Sequence, residues 1–347
     1  MSGFSSTYDG GVEANPDDDL CLHRNENLFV GREWTVDAAQ QMVASAHIAS
    51  YPEMTSLVLR EALARHYGVK PGNIFVGNGA DEVLSDLFNV LHPDYDALHV
   101  LDVRFKVYDL LAERLGFRLE VFPGNAFETG RIDTSGFKGL AVVDSPNAIS
   151  GGSVAREDLD ALAATPDSFL IWDNVYGEYA GDTLPDPLPP NVAVVRSFSK
   201  YYGLAGLRIG YCIADESVIA QMLACKDAFN VNSFGQVMAL EALNREQAFA
   251  TQRDELVAGR QALVDGLEAL GFRVMPSDSV AVLVSHPDHA AKTLQQELLK
   301  RQIAVRHFTD KATANFIRVT ASPAETQDRF LAAMAEIIGG LAARDRG

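Results

Sequence analysis

Basic residues are in short supply. The chain holds 29 Lys and Arg against 47 Asp and Glu, a formal net charge of -18. So acidic a surface is ill suited to nucleic-acid phosphates or to an anionic bilayer, and neither partner is expected. No apolar run approaches the roughly 20 residues that span a membrane. The first 20 residues have neither a basic start nor an apolar stretch, so no secretory signal is read there. That segment carries instead an acidic run, Asp17 to Asp19, expected to belong to a loosely ordered arm. Cysteine is rare as well. Cys21, Cys212 and Cys225 are far apart and odd in number, which argues against a disulfide framework and for a reducing, cytoplasmic setting. There is no internal repeat, low-complexity linker or separate DNA-binding module. The pair His286 and His289 lies in a Pro/Asp-containing loop without further ligands, so no metal site is expected.

What is present is an ordinary globular composition, 47% hydrophobic and 22% charged over 347 residues. That length accommodates a large domain and a smaller one. Short β-rich runs at 73–76, 97–103, 139–144, 168–173, 192–197 and 208–213 alternate with helical patterns such as 81–91 and 107–115. The alternation predicts an α/β fold whose large domain is a mostly parallel sheet covered by helices on both faces. Ligands in such sheets sit at the carboxyl ends of the strands. From about residue 240 the pattern changes to a long helix at 247–270, strands at 280–285, 304–308 and 316–320, and helices at 290–301 and 324–341. The expected division is an N-terminal arm (1–30) joining the small domain, a large domain (31–240), and a small α+β domain (241–347).

The most informative stretch is Ser197-Phe-Ser-Lys-Tyr-Tyr-Gly-Leu-Ala-Gly-Leu-Arg-Ile-Gly-Tyr211. It places Lys200 between an apolar strand and a glycine-rich turn, with hydroxyls at Ser197 and Ser199 and a cation at Arg208. A nucleophilic lysine needs such a partly buried position, and hydroxyls with an arginine suit a dianionic phosphate. A lone lysine in a loop is usually a surface residue; the surrounding pattern reverses that reading. Phe75-Val-Gly-Asn-Gly-Ala-Asp-Glu82 reads as strand, glycine turn and helix start, where backbone N–H groups bind phosphate. It lacks the third glycine of a dinucleotide fingerprint.

The lysine stretch resembles that of the class I/II aminotransferases within the fold-type I pyridoxal-phosphate family, nearest the histidinol-phosphate aminotransferase-like branch. The likeness runs from about residue 22 to about residue 320. It implies that pyridoxal 5'-phosphate is held as a Schiff base on Lys200, which then shuttles the proton between substrate Cα and C4′. It implies a phosphate site of Ser197, Ser199, Arg208, Ala80 and Asp81. In Ile171-Trp-Asp-Asn-Val-Tyr176, Asp173 would pair with the pyridine nitrogen and Tyr176 would bond the ring's phenolic oxygen. Phe105 would stack on the ring, although a core phenylalanine is nearly as good a reading. Tyr51, in Ser50-Tyr-Pro-Glu53, would reach the neighbouring subunit's cofactor, making the enzyme a homodimer with shared sites. Asn25, in Asn25-Glu26-Asn27, would lie over the site. Arg318 would take a substrate carboxylate, and Arg306 the distal end of the substrate.

Three features depart from the family pattern, one of them Thr320-Ala-Ser322 in place of a more typical Thr-Val-Gly. After the strand ending at Asp144 the chain reads Ser145-Pro-Asn-Ala-Ile-Ser-Gly151, so that Ala148 replaces the asparagine that bonds the phenolic oxygen; a one-residue shift would bring Asn147 into that role. Asn174 also replaces the usual glutamate. The expected activity is transfer of an amino group from an L-amino acid or related amine to a 2-oxo acid. The alternative is a decarboxylase, like the threonine-phosphate decarboxylases, or an oxidase on the same scaffold.

Overall fold

The computed structural model describes residue 14 and residues 20–45 and 49–344; the Asp17 to Asp19 run lies outside them. The centre of the molecule is a sheet of seven strands: β1 (Ile74–Gly77), β2 (Ala97–Val100), β3 (Arg118–Val121), β4 (Gly139–Asp144), β5 (Ser168–Asp173), β6 (Val192–Ser197) and β7 (Gly210–Ile213). Their spatial order is β1-β7-β6-β5-β4-β2-β3. Strands β3, β2, β4, β5 and β6 run parallel, whereas β7 is antiparallel to both its neighbours. Strands β5 and β6 are buried along their whole length, which is why they read as continuous apolar runs rather than alternating ones. The parallel register sets Asp144 directly beside Asp173 at the carboxyl ends of β4 and β5.

Helix α1 (Ala80–Leu91) follows β1 across a sharp turn at Gly79, whose φ of 84° suits glycine. Val83, Leu84, Leu87, Phe88 and Leu91 bury one side of it, the spacing expected of a helix laid on a sheet. Helix α2 (Val107–Leu115) follows β2 and buries Tyr108, Leu111 and Ala112.

The second sheet is antiparallel, with β8 (Arg273–Val274), β9 (Ala281–Ser285), β10 (Arg306–His307) and β11 (Ile317–Thr320) in the order β8-β9-β11-β10. Helices α3 (Glu246–Ala269) and α4 (Ala324–Arg344) contribute to its core through Leu263, Leu267, Phe330 and Met334. Leu22 joins the same core. Leu20–Cys21 pairs in parallel with Ile303–Ala304, and Thr320 N donates to Leu22 O at 3.0 Å.

Several elements differ from the sequence pattern. The run expected at 304–308 changes partners at the buried Val305: Ile303–Ala304 pairs with the N-terminal segment and β10 with β11. The strand expected from 97 to 103 stops at Val100, because Arg104 Nη1 takes the Leu101 carbonyl at 2.9 Å. The strand expected from Arg208 begins at Gly210, since Arg208 is left-handed with φ 55°. Helices Arg32–Ser45, Leu57–Tyr67 and Ser233–Asn244 were not among the patterns singled out. Among the described residues no helix is long and apolar enough to cross a membrane.

Candidate active site

A cleft of about 970 Å³ opens between the carboxyl edge of the large sheet, the segment His23 to Glu26, and strands β10 and β11 of the small sheet. Lys200, Asp173, Tyr176, Ala80, Asp81, Phe105, Ser197, Ser199, Arg208, Arg306, Arg318 and Asn25 all line it. Residues more than 250 positions apart in sequence thus share one cavity because both sheets present an edge to it.

One end of the cleft is built for an anion. The α1 N-terminus points its first N–H groups outward at Ala80 and Asp81, where the helix dipole favours negative charge. Arg208 turns through its left-handed backbone so that Nη2 lies 2.9 Å from Asp81 Oδ2. Gly79 makes room for it: a Cβ there would stand 2.4 Å from Arg208 Nη2. At Gly210 a Cβ would stand 2.4 Å from Ala80 N. Ser197 Oγ donates to Ile209 O at 3.2 Å and accepts from Ser199 N at 3.0 Å, fixing the turn that presents Ser199 and Lys200. Helix N–H groups, hydroxyls and a guanidinium form a donor set that fits a phosphate monoester.

The floor of the cleft is acidic and buried. Asp173 Oδ2 accepts from the Tyr108 hydroxyl at 2.6 Å. Burial pushes the Asp173 carboxyl up to about 6, and the Tyr108 bond pulls it back down. Asp144 is also held well above the usual carboxylate range, first by burial and then by the adjacent Asp173. Its Oδ2 accepts from Asn147 Nδ2 at 3.0 Å and Ala148 N at 3.2 Å. An acid in this position suits a basic ring nitrogen, and Phe105 on the approach offers an apolar wall, its edge set against Tyr108 at 5.9 Å between ring centroids. Lys200 Nζ lies 5.8 Å from the centre of the Tyr176 ring and donates to Arg24 O at 3.4 Å. Amine, acid, phenol and anion site therefore face one volume, which fits pyridoxal phosphate.

Asn147 does not face that volume. Its amide nitrogen donates to Val103 O and Asp144 Oδ2, and its oxygen accepts from Ile149 N, Ser150 N and Ser150 Oγ. Every one of its hydrogen-bonding positions is thereby taken by Val103, Asp144 or the loop itself. Ala148 is the residue that lines the cleft there. Arg318 Nη1 donates to Ala148 O at 2.6 Å and Nη2 to His23 O at 3.0 Å. Arg306 is its cross-strand neighbour, and both guanidinium groups lie over Phe308, at 5.5 and 5.4 Å from the ring centre. Tyr51 lies outside the cleft, 82% exposed and stacked on Phe229 with centroids 4.5 Å apart. Tyr108 and Asp144 were missed by sequence reasoning. The one available signal was that Tyr108 falls three residues after Phe105 on an apolar helix face.

The family model for aminotransferase class I and II matches residues 18–336. The histidinol-phosphate aminotransferase 2 of Rhizobium meliloti (strain 1021) is 31% identical over 340 residues, covering 95% of this chain and 96% of that protein. A histidinol-phosphate aminotransferase of Microcystis aeruginosa is 32% identical over 323 residues, covering 92% of each. Among solved structures, histidinol-phosphate aminotransferase from Sinorhizobium meliloti in complex with pyridoxal-5'-phosphate matches with a TM-score of 0.83 at 23% identity, over 98% of this chain and 99% of that one. L-threonine-O-3-phosphate decarboxylase from Porphyromonas gingivalis matches at 0.81 and 20%, over 92% and 99%. At those identities the two structures speak for the fold alone. The chain belongs to the class I and II aminotransferase family. It is a pyridoxal-phosphate-dependent transaminase of fold type I.

Proposed function

We propose that this transaminase takes the amino group from a primary amine bearing an anionic head, histidinol phosphate or a closely related amino acid, and passes it to a 2-oxo acid. The observation that carries this reading is the convergence of Lys200, Asp173, Tyr176 and the Arg208 anion site on one cleft, with Arg306 and Arg318 on its far wall. When bound, pyridoxal phosphate supplies a carbonyl carbon that condenses with amines and a ring that withdraws electrons from the substrate's α-carbon.

The chain's own residues do the rest. Ala80 and Asp81 through their N–H groups, with Ser197, Ser199 and Arg208, hold the phosphate. Asp173 keeps a proton on the ring nitrogen, and its carboxylate is the charged partner. Tyr176 donates to the phenolic oxygen. Phe105 covers one ring face. Lys200 Nζ takes the proton from the substrate α-carbon and returns it at C4′, a transfer of the general acid–base kind. Arg318 and Arg306 orient the anionic head, and Asn25 closes the site from the N-terminal side.

A homodimer is part of the proposal. Tyr51 is exposed and stacked on Phe229, and Met54, Leu57 and Val58 just after it are exposed apolar residues as well. A run of that kind favours burial against a second copy. A cytoplasmic setting is supported by the free thiols of Cys212 and Cys225.

The test is a half-reaction. The enzyme loaded with pyridoxal phosphate is mixed with histidinol phosphate or single L-amino acids, without a 2-oxo acid. The expected result is loss of the visible cofactor band, a near-ultraviolet band in its place, and one keto product per site. Release of carbon dioxide with retention of the visible band would make the enzyme a decarboxylase instead.

A further inference from the structure

Position 148 contributes only a methyl group to the cleft, and Asn147 is fully engaged by Val103, Asp144 and its own loop. The side-chain amide nearest to Tyr176 comes from elsewhere in the chain. Asn25 Nδ2 lies 3.0 Å from the Tyr176 hydroxyl and 3.2 Å from Ala148 O. A peptide carbonyl can only accept, so the contact with Ala148 O fixes which end of the amide faces inward. Both Nδ2 hydrogens are then used, one on Ala148 O and the other on the Tyr176 oxygen.

That arrangement has a directional consequence. A phenol has one hydrogen to give. With its oxygen already accepting from Asn25, the Tyr176 hydrogen is turned away from the amide and toward the cleft. Asn25 is itself held firmly. It is buried, its backbone adopts φ 54°, which asparagine tolerates better than most residues, and its N–H donates to Thr320 Oγ1 at 3.3 Å. Its Oδ1 is buried with no hydrogen-bond partner among the described residues. An unsatisfied buried amide oxygen costs free energy that a purely structural asparagine would avoid.

We propose that Asn25 is a positioning residue that aims the Tyr176 hydroxyl at the cofactor's phenolic oxygen, supplying from the N-terminal segment the polarisation that Ala148 cannot. The proposal rests on the reading of Tyr176 given above, and the test separates the two. A donor on the phenolic oxygen stabilises its negative charge and thus favours the proton-poor form of the bound chromophore. Weakening that donor raises the chromophore's apparent pKa.

The measurement is a pH titration of the visible absorbance of the cofactor-loaded enzyme, for wild type, Asn25→Gly, Tyr176→Phe, the combination of those two, and Asn25→Gly with Ala148→Asn. Glycine removes the amide while suiting the left-handed backbone. Asn25→Gly is expected to raise the apparent pKa by about half to one unit, the size of one net hydrogen bond. It is expected to add nothing in the Tyr176→Phe background, because the amide acts through that hydroxyl. Ala148→Asn is expected to bring the pKa back toward wild type. A pKa unmoved by Asn25→Gly but raised by Tyr176→Phe overturns the proposal and leaves the Tyr176 reading standing. A pKa unmoved by either overturns both. An equal rise in both backgrounds also overturns the proposal, since Asn25 then acts without Tyr176. Melting of the cofactor-free variants checks that each is folded. If Asn25→Gly is not, Asn25→Asp keeps the test, with a smaller rise expected in the Tyr176→Phe background than alone and an equal one overturning the proposal.

Discussion

Tyr108 and Asp173, 65 residues apart, share a 2.6 Å hydrogen bond in the floor of the cleft, with the tyrosine as donor. The bond does more than anchor a side chain. Burial lifts the Asp173 carboxyl to about 6, and the Tyr108 hydroxyl opposes that rise by favouring the ionised form. Tyr108→Phe removes the opposition while keeping the ring. The acid limb of the kcat–pH profile is expected to move upward by about one unit, on the scale of one hydrogen bond to a charged group. Rate measurements between pH 5 and 9 check this, and an unmoved limb would show that the bond is structural only.

Asp144 gives a prediction on stability. Its carboxyl is held well above its ordinary value by burial and by Asp173, so the folded state favours the protonated form. The stability this provides is full below the ordinary carboxylate pKa and is lost as pH rises through the raised value. Asp144→Asn does not titrate, and its oxygen can still accept from Asn147 and Ala148. The cofactor-free variant should melt above wild type at pH 8, with the gap closing toward pH 4. A wild type that melts higher at pH 8 would count against a strained carboxylate.

Cofactor affinity should depend on a glycine as much as on an arginine. Arg208→Gln deletes the charge at the anion site and is expected to weaken binding by about ten- to a hundredfold. Gly79→Ala sets a Cβ 2.4 Å from where Arg208 Nη2 lies, at a backbone φ of 84° that alanine resists. It should weaken pyridoxal phosphate in the same direction with the arginine intact. Equilibrium titration of cofactor into both proteins decides the matter. Wild-type affinity in Gly79→Ala would mean the guanidinium has another place to go.

Shared sites can be tested by complementation. Tyr51→Ala and Lys200→Ala are each expected to be nearly inactive. Mixed dimers of the two should recover activity, because one of their two sites then has both Lys200 and the neighbour's Tyr51. Should mixing restore nothing while the dimers exchange freely, Tyr51 serves its own subunit or none.

Much of the large sheet was legible. The runs at 139–144, 168–173 and 192–197 read as buried parallel strands and coincide with β4, β5 and β6. Their continuous hydrophobicity is a local signal, and so is the abrupt appearance of Asp173 or Lys200 just beyond it. Residues whose roles depend on distant partners were not legible. Nothing around Tyr108 announces Asp173, since an apolar helix face accounts equally well for a buried tyrosine. The choice between Asn147 and Ala148 also turns on direction. The sequence of a loop does not say which of two adjacent side chains turns inward; the hydrogen bonds to Val103 and Asp144 turn Asn147 away and leave Ala148 on the cleft. Arg208 reads as the first residue of a strand, whereas the guanidinium's approach to Gly79 and Asp81 requires a left-handed turn before the strand begins.

The pairing of Leu20–Cys21 with Ile303–Ala304, and of Asn25 with Thr320, bears on the order of events during synthesis. Residues 20 to 25 leave the ribosome early, yet the strand and hydroxyl that receive them are made nearly 300 residues later. Domains that fold as the chain emerges can form the large sheet well before that. The N-terminal segment must wait. A nascent chain stalled before residue 303 would therefore present Lys200 while residues 20 to 25 still lacked their partners.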